Sequence, residues 1–205
     1  MNTSHSPLAW GTRTFVMGIL NVTPDSFSGD GLLVQEDAVA VALARARRFA
    51  AVGADILDIG GESTRPGALP VSAEEELARI LPVVSAIAQS DMNVLISVDT
   101  SKAAVAEEAL RAGADWINDV WALRADAQLA EVAARYHAPL VLMHNRSQLE
   151  KAEVQQGLGG RYVDMKYNDL MQEIQGELLK SVQIALDAGV AKENIILDPG
   201  IGLGK

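Results

Sequence analysis

The sequence contains no cysteine among its 205 residues, only three histidines, and 4% aromatic residues. The lack of cysteine excludes disulfide bonds and thiolate metal sites, and it suits a reducing compartment such as the cytoplasm. Basic residues are also outnumbered, because 17 Lys and Arg stand against 27 Asp and Glu, for a formal net charge of -10. This charge repels phosphate backbones and anionic membranes, so neither nucleic acid nor a membrane surface is an expected partner.

Long apolar runs are missing as well. No apolar segment approaches the ~18 residues that a membrane span needs, and the first ten residues, MNTSHSPLAW, lack the basic and apolar parts of a secretory signal. We therefore expect a soluble, unprocessed cytoplasmic protein. Hydrophobic residues, at 49%, are plentiful enough for the core of one domain. We expect a single domain over residues 1–205, with residues 1–12 as a flexible N-terminus.

Apolar strands and Ala-rich helices alternate along the chain. Residues 14–20, TFVMGIL, show no polar alternation, which is typical of a parallel strand covered on both faces. Residues 36–54 carry apolar side chains at helical spacing, and Gly53 stands where a helix C-cap belongs. Segments 52–60 and 112–120 repeat one unit, a cap followed by a strand with a polar end. Further strands are predicted at 55–60, 93–99, 115–119, 139–144 and 194–198, and further helices at 72–90, 101–112, 126–136 and 164–188.

This alternation lacks the glycine-rich fingerprints of dinucleotide or phosphate-loop binding. It predicts parallel strands that are either closed into a barrel or wound as an open sheet. We favour closure: an α/β fold of the TIM (β/α)8 type, with about six of the eight units present in this chain.

A polar residue follows each of six apolar runs. In a parallel barrel the carboxyl ends of the strands converge on one rim, so these side chains would surround a common cavity. An amide or carboxylate buried there without a partner costs free energy, which favours a polar ligand as the partner. Taken singly, each is explained equally well as a cap of the next helix or turn. The six residues are Asn21, Asp58, Asp99, Asn118, His144 and Asp198.

Six segments, in order, resemble those of the dihydropteroate synthases of the pterin-binding family. NVTPDSF and ESTRPG are highly specific motifs, whereas VDTSK or IND alone would be weak. The likeness runs from residue 15 to the last residue. The segments are GILNVTPDSFS (18–28), GGESTRPGA (60–68), VDTSK (98–102), IND (117–119), VLMH (141–144) and LDPGIGLGK (197–205).

The resemblance implies a folate-pathway transferase that condenses 6-hydroxymethyl-7,8-dihydropterin pyrophosphate with 4-aminobenzoate, releasing pyrophosphate and giving 7,8-dihydropteroate. It also implies Mg²⁺ as cofactor and, for the full-length family, a homodimer. In the family's pattern Asn21 binds magnesium and pyrophosphate, and Asp99, Asn118 and Asp198 hold the pterin, with Met143 lining its slot. The aminobenzoate site, where sulfonamides compete in this family, is bordered by Phe27, Thr64, Arg65 and Pro66.

The residue types suit these roles. A carboxylate such as Asp198 accepts two neighbouring N–H donors of a pterin without turning. Magnesium prefers oxygen ligands and relies on substrate phosphates, so one Asn plus the pyrophosphate can hold it. Asp25 would order this loop or bond a magnesium-bound water, although a Pro-Asp turn explains it nearly as well. The sequence shows no base placed to strengthen a weak arylamine, which fits the order of steps that the resemblance implies, loss of pyrophosphate before amine attack. Phe27 would then be a lid residue, and the alternative is that it folds back onto the core.

The pattern also departs from the family. A complete barrel of this type has eight strands in about 250 residues, and this sequence stops after the sixth, so we expect a truncated chain with little activity by itself. Leu203 replaces a Phe that is usual in this motif. A pterin-binding methyltransferase domain is the alternative enzyme, because it shares the barrel and the Asp, Asn and Asp contacts without requiring TPDSF or STRPG. A non-catalytic pterin-binding fragment is the other alternative.

Overall fold

A computed structural model of the protein describes residues 8–23, 35–63, 70–146, 152–155, 159–162, 166–202 and 205. Strands and helices alternate in it as the sequence predicts. The strands are β1 (Met17–Asn21), β2 (Ile56–Gly60), β3 (Leu95–Asp99), β4 (Trp116–Asp119), β5 (Leu140–Met143), β6 (Ala152–Gln155), β7 (Gly159–Tyr162) and β8 (Ile195–Asp198). The helices are α1 (Gln35–Ala51), α2 (Ala73–Ala88), α3 (Ala103–Ala112), α4 (Gln128–Tyr136) and α5 (Leu170–Asp187), and a 3-10 turn spans Lys192–Asn194.

Six of the strands form one parallel sheet in the order β1-β2-β3-β4-β5-β8. The other two strands, β6 and β7, were not predicted from the sequence, and they form a separate antiparallel hairpin between β5 and α5. The last predicted helix, 164–188, accordingly begins only at Leu170. There the Asp169 carboxylate accepts a hydrogen bond from the Gln172 backbone N–H at 3.0 Å and caps the helix.

Alternate side chains of each strand face the helices or the inside of the sheet. The outward row packs on the helices. At Gly18 of β1 the packing is close, because an added Cβ would lie only 3.0 Å from the Phe49 ring of α1. The inward row forms an apolar floor at the amino ends of the strands. Leu8, before the first strand, packs against this floor, whose other members are Met17, Ile56, Leu95, Trp116, Val141 and Ile196.

The sheet is open in the part of the chain that the structure describes, since β1 pairs only with β2 and β8 only with β5. Apolar side chains are consequently exposed at both edges, with Ile19 of β1 65% exposed and Leu197 of β8 45% exposed. None of the described helices has the length and hydropathy of a membrane-spanning segment.

Gly113 provides a test of the helix-to-strand turns. It ends α3 with φ +113°, and a Cβ there would lie 2.6 Å from the Ala88 Cβ of α2. Gly113→Ala should lower the free energy of unfolding by roughly 1–3 kcal/mol, because the new side chain meets both backbone strain and a clash. Urea unfolding would measure the loss. The control Gly176→Ala, inside α5 with no atom within 4 Å of the added Cβ, should be neutral or stabilise by up to about 1 kcal/mol; equal losses would contradict the argument.

Candidate functional site

Polar side chains line up at the carboxyl ends of the first four strands. Asn21 pairs with Gly60, Gly60 with Asp99, and Asp99 with Asn118 in the register of the sheet. Gly60 leaves space in this row, because a Cβ built on it would lie 3.5 Å from both Asn21 Oδ1 and Asp99 Oδ2. The structure therefore brings Asn21 and Asp99 together above a residue without a side chain.

The other side of the mouth is formed by β5 and β8. Met143 pairs with Asp198 across these strands, two residues beyond the pair of Val141 and Ile196. Asp198 Oδ1 accepts a hydrogen bond from the Gly200 backbone N–H at 2.7 Å. The loop after β8 is packed tightly here, since a Cβ on Gly200 would lie 2.2 Å from the His144 carbonyl oxygen and 3.2 Å from Met143 Cγ.

Two of the six residues expected at strand ends are not the last residues of their strands. Asp58 lies in the middle of β2, which runs on to Gly60 as predicted, and Asn118 is followed in β4 by Asp119. The reason is that Gly60, although it adds nothing to the apolar pattern, continues the register with both neighbouring strands. Asp58 is therefore a buried residue below the rim.

Asp58 forms a hydrogen-bonded layer under the rim, and its role was missed from the sequence. The side chain is only 4% exposed, with Oδ1 accepting from Ser97 Oγ at 2.6 Å and Oδ2 accepting from Asn118 Nδ2 at 2.9 Å. Burial raises the pKa of Asp58, and the hydrogen bonds from Ser97 and Asn118 oppose this rise. The sequence signal was an acid in the middle of an apolar strand at an inward position.

Asp99 is the most strongly perturbed acid of the row. Burial raises its pKa well above the ordinary value, and repulsion from Asp58, then from Glu76, Asp119 and Glu62, raises it further. Among these acids, Asp58, one layer below, makes the largest contribution to the repulsion. An acid whose ionised form is destabilised by its surroundings in this way is typical of a functional site, because a ligand that donates hydrogen bonds stabilises that form.

Lys102 joins two acids beside Asp99. Its ammonium group contacts the carboxylates of Glu62 and of Glu76, the latter at 2.6 Å. Burial opposes the charge of Lys102, but the hydrogen bonds to Glu62 and Glu76 outweigh burial and raise its pKa. Glu62 also accepts from the Val71 backbone N–H at 3.1 Å, so it holds the two ends of the β2–α2 loop together.

A cavity of about 380 Å³ opens between these groups. Glu76 at its wall is fully buried, and within the described residues its Oε1 has no hydrogen-bond partner. The cavity is continuous with the row described above, since Asp99 lines it together with Glu62, Glu76, Thr100, Lys102 and Trp121. The cavity therefore adjoins the row of polar side chains at the strand ends.

His144 is held by a separate network after β5. It is buried, and its Nε2 lies 2.8 Å from Glu177 Oε2, while Arg146 bridges Glu177 and Glu173. Burial lowers the pKa of His144. Lys205 Nζ donates to the His144 carbonyl oxygen at 2.8 Å. These contacts tie the β5 loop to α5, so His144 supports the rim rather than facing the row.

Five predicted site residues lie outside the described residues, and their roles stay predictions: Asp25, Phe27, Thr64, Arg65 and Pro66. For the metal, the described residues contain no group of three acidic, His or Cys side chains that could hold an ion. Asn21 Oδ1, which lies 3.5 Å from the position of a Cβ on Gly60, is nevertheless an oxygen donor of the type that Mg²⁺ prefers when substrate phosphates and water complete its shell. The residues present fit magnesium in that limited sense.

The comparisons with known proteins agree with this geometry. The family described as pterin binding enzyme matches residues 17–205. The dihydropteroate synthase of Bacillus subtilis (strain 168) is 47% identical over 205 residues, all of this chain and 65% of that protein. The crystal structure of the Clostridium difficile dihydropteroate synthase in the presence of pteroic acid has a TM-score of 0.82 at 43% identity, over 97% of this chain and 68% of that one. The Xanthomonas albilineans dihydropteroate synthase with 4-aminobenzoic acid gives 0.80 at 41% identity, over 95% and 64%.

These matches confirm the α/β barrel fold expected from the sequence. The chain spans about 65% of the length of the curated relative from Bacillus subtilis.

The raised pKa of Asp99 predicts that its ionised form destabilises the folded chain. Its raised pKa means that the folded chain binds the proton more tightly than the unfolded chain does. Ionised Asp99 therefore lowers the free energy of unfolding at a pH above its pKa in the folded chain. This loss vanishes below its pKa in the unfolded chain, near 4. Asp99→Asn should raise the Tm at pH 7, with the difference disappearing towards pH 4, as thermal unfolding followed by circular dichroism would show.

Asp55 supplies the control with the opposite sign. The Arg13 guanidinium and the Val16 backbone N–H lower the pKa of Asp55 to about 2. Its ionised form is thus favoured by folding, and Asp55→Asn should lower the Tm at pH 7. An Asp99→Asn protein that melts at or below the wild-type temperature at pH 7 would refute the reading of Asp99.

Proposed function

Because the chain belongs to the pterin-binding enzyme family, we propose that it carries the pterin site of a dihydropteroate synthase. The reaction joins 6-hydroxymethyl-7,8-dihydropterin pyrophosphate to 4-aminobenzoate and releases pyrophosphate. The observation that carries the proposal is the row of Asn21, Asp99 and Asn118 facing Asp198 across the mouth of the sheet. Relatives 43% and 41% identical were crystallised with pteroic acid and with 4-aminobenzoic acid.

The pterin ring is the ligand that this row suits. Its edge carries an N–H and an amino group side by side, and Asp198 offers a second oxygen for them after bonding Gly200. Asp99 and Asn118 accept from the remaining edge. Met143, which is 8% exposed and packed against the Gly200 turn, contributes a flat apolar wall.

Charge around the mouth favours a cationic intermediate. Asp58 and Asp99 are joined there by Glu62 and Glu76, against which Lys102 supplies one positive charge. Fixed negative groups stabilise positive charge that develops when pyrophosphate leaves the pterin, and they do so without reorganisation. A weak arylamine then attacks an activated carbon, so no side chain has to act as a base towards the amine.

Asn21 is the residue that would hold the metal, at the end of β1 beside Asp99. Magnesium bound there would neutralise charge on the leaving pyrophosphate. In this proposal Asn21 also binds the diphosphate, beside the space that Gly60 leaves by lacking a side chain.

The aminobenzoate side is assigned to the β1–α1 and β2–α2 loops. Asp25 and Phe27 belong to the first, and Thr64, Arg65 and Pro66 to the second. Support for the second loop comes from its base, where Glu62 bonds Val71 N and Lys102, and Arg79 donates to the Gly61 carbonyl at 2.7 Å. These contacts tie the two described ends of the second loop to each other and to Lys102.

Binding of the pterin is the first test. Isothermal titration calorimetry with 6-hydroxymethylpterin should give saturable binding, and Asp198→Asn should weaken it by ~10-fold or more, because hydrogen bonds to a charged acceptor are lost. Asp187→Asn, at the exposed end of α5, is the matched control and should bind like the wild type. A wild-type protein that binds no pterin, or an Asp198→Asn protein that binds it equally well, would refute the assignment.

Turnover is a separate test, and the open sheet favours binding without it. Ile19, on the inward row of β1, is 65% exposed because no described strand covers that edge. One wall of the mouth is therefore missing from the described structure, and we expect pyrophosphate release from the two substrates to be far below that of a full-length relative assayed in parallel. Turnover equal to the relative's would show that the described residues already form a complete site.

A further inference from the structure

We propose that Asp58 is a positioning residue: it fixes the side-chain amide of Asn118 so that the amide oxygen, and not the nitrogen, faces the ligand. The inference rests on the proposed function, because it specifies what the pterin must offer at one point of the site. There the ligand has to donate a hydrogen bond.

The contact between the two residues crosses the inside of the sheet. Asp58 lies on β2 and Asn118 on β4, with β3 between them in the sheet order. The Asp58 carboxylate is 4% exposed and uses both oxygens, Oδ1 for the fully buried Ser97 hydroxyl at 2.6 Å and Oδ2 for Asn118 Nδ2 at 2.9 Å. Its orientation is thus fixed from two strands.

The chemistry of the pair decides which end of the amide points outward. An ionised carboxylate has no proton to donate, so it selects the NH₂ group of Asn118. The amide oxygen is then turned away from Asp58. Within the described residues this oxygen has no hydrogen-bond partner, and Asn118 is partly exposed beside Asp99 at the rim.

The mouth consequently presents acceptors at three positions, Asp99, Asn118 and Asp198. An amide that was free to rotate would accept an N–H or donate to a ring nitrogen with similar ease, and the site would then tolerate either. Fixing the amide removes the second choice, because a ligand acceptor opposite an amide oxygen is repelled. Asp58 therefore acts on ligand selection through Asn118 without touching the ligand.

An exchange of the two side chains tests this inference. Asn118→Asp alone places two carboxylates against each other and should weaken 6-hydroxymethylpterin binding by ~10-fold or more. The double variant Asp58→Asn/Asn118→Asp restores one donor and one acceptor, with Asn at 58 donating to Asp at 118, whose second oxygen faces the ligand. Its affinity should return to within ~3-fold of the wild type.

The outcomes separate an acceptor at position 118 from a donor. If the ligand needed the NH₂ of Asn118, the double variant would fold like the wild type and still bind poorly, which would overturn the inference. Wild-type affinity in the single variant Asn118→Asp would overturn it as well. Asp55→Asn, just before β2 and at the opposite end from the rim, controls for loss of a carboxylate elsewhere and should leave binding unchanged.

A measurement on the free protein does not depend on the ligand. In a ¹H–¹⁵N correlation spectrum the side-chain amide of Asn118 is identified by its disappearance in Asn118→Asp. One of its two protons should exchange slowly with solvent and should shift in Asp58→Asn. If both protons exchange freely and ignore that substitution, Asp58 does not fix the amide. Should the wild type bind no pterin, the proposed function fails, and this spectrum alone decides about Asp58; it also decides if the double variant does not fold.

Discussion

Two carboxylates, one half-buried at the rim and one buried beneath it, set the constraint on which this site depends. Asp58 and Asp99 lie in adjacent layers of the barrel interior, and burial raises the pKa of each. Asp58, the lower acid, accepts hydrogen bonds from two neutral donors, Ser97 and Asn118. The upper acid receives no such donor within the described residues. Ionised Asp99 destabilises the fold, and a ligand that donates hydrogen bonds to it would offset this destabilisation on binding.

The same constraint explains why Lys102 is placed where it is. It does not lie over Asp99 but between Glu62 and Glu76, where it neutralises the acids that hold the β2–α2 loop. A cation bonded directly to Asp99 would lower its pKa and occupy the acceptor that the ligand needs. Lys102 thus pairs with Glu62 and Glu76 and leaves Asp99 able to accept hydrogen bonds.

Periodicity and strand polarity made most of the fold predictable from the sequence. Unbroken apolar runs and the glycines at 53 and 113 predicted the alternation, and both glycines adopt the positive φ that is common just after a helix. The β6–β7 hairpin was missed because short polar segments with glycine carry no apolar period. Side-chain pairs across the sheet were missed for a different reason, since Asp58 and Asn118 are 60 positions apart and no local pattern joins them.

The candidate site was predictable to the extent that residues follow strand ends. Asn21, Asp99 and Asn118 were correctly expected at one rim, and Asp198 at the same end of β8. Treating every polar residue after an apolar run as a rim residue was wrong for Asp58, because Gly60 carries the strand further. His144 follows β5 but turns to Glu177 on α5, which no strand pattern reveals.

Glycine at position 60 shows how the layers of this barrel depend on one another. A side chain there would come to 3.5 Å from Asn21 Oδ1 and Asp99 Oδ2 and would occupy the space above the row. Gly60 adds no side chain between Asn21 and Asp99 of the neighbouring strands, while Asp58, two residues earlier, fills the layer below and reaches Asn118. A void in the upper layer and a charged, hydrogen-bonded group in the lower layer are therefore two parts of one arrangement. Under the proposed function, the ligand occupies the space in the upper layer, and the buried acid below it determines which hydrogen bonds the ligand meets.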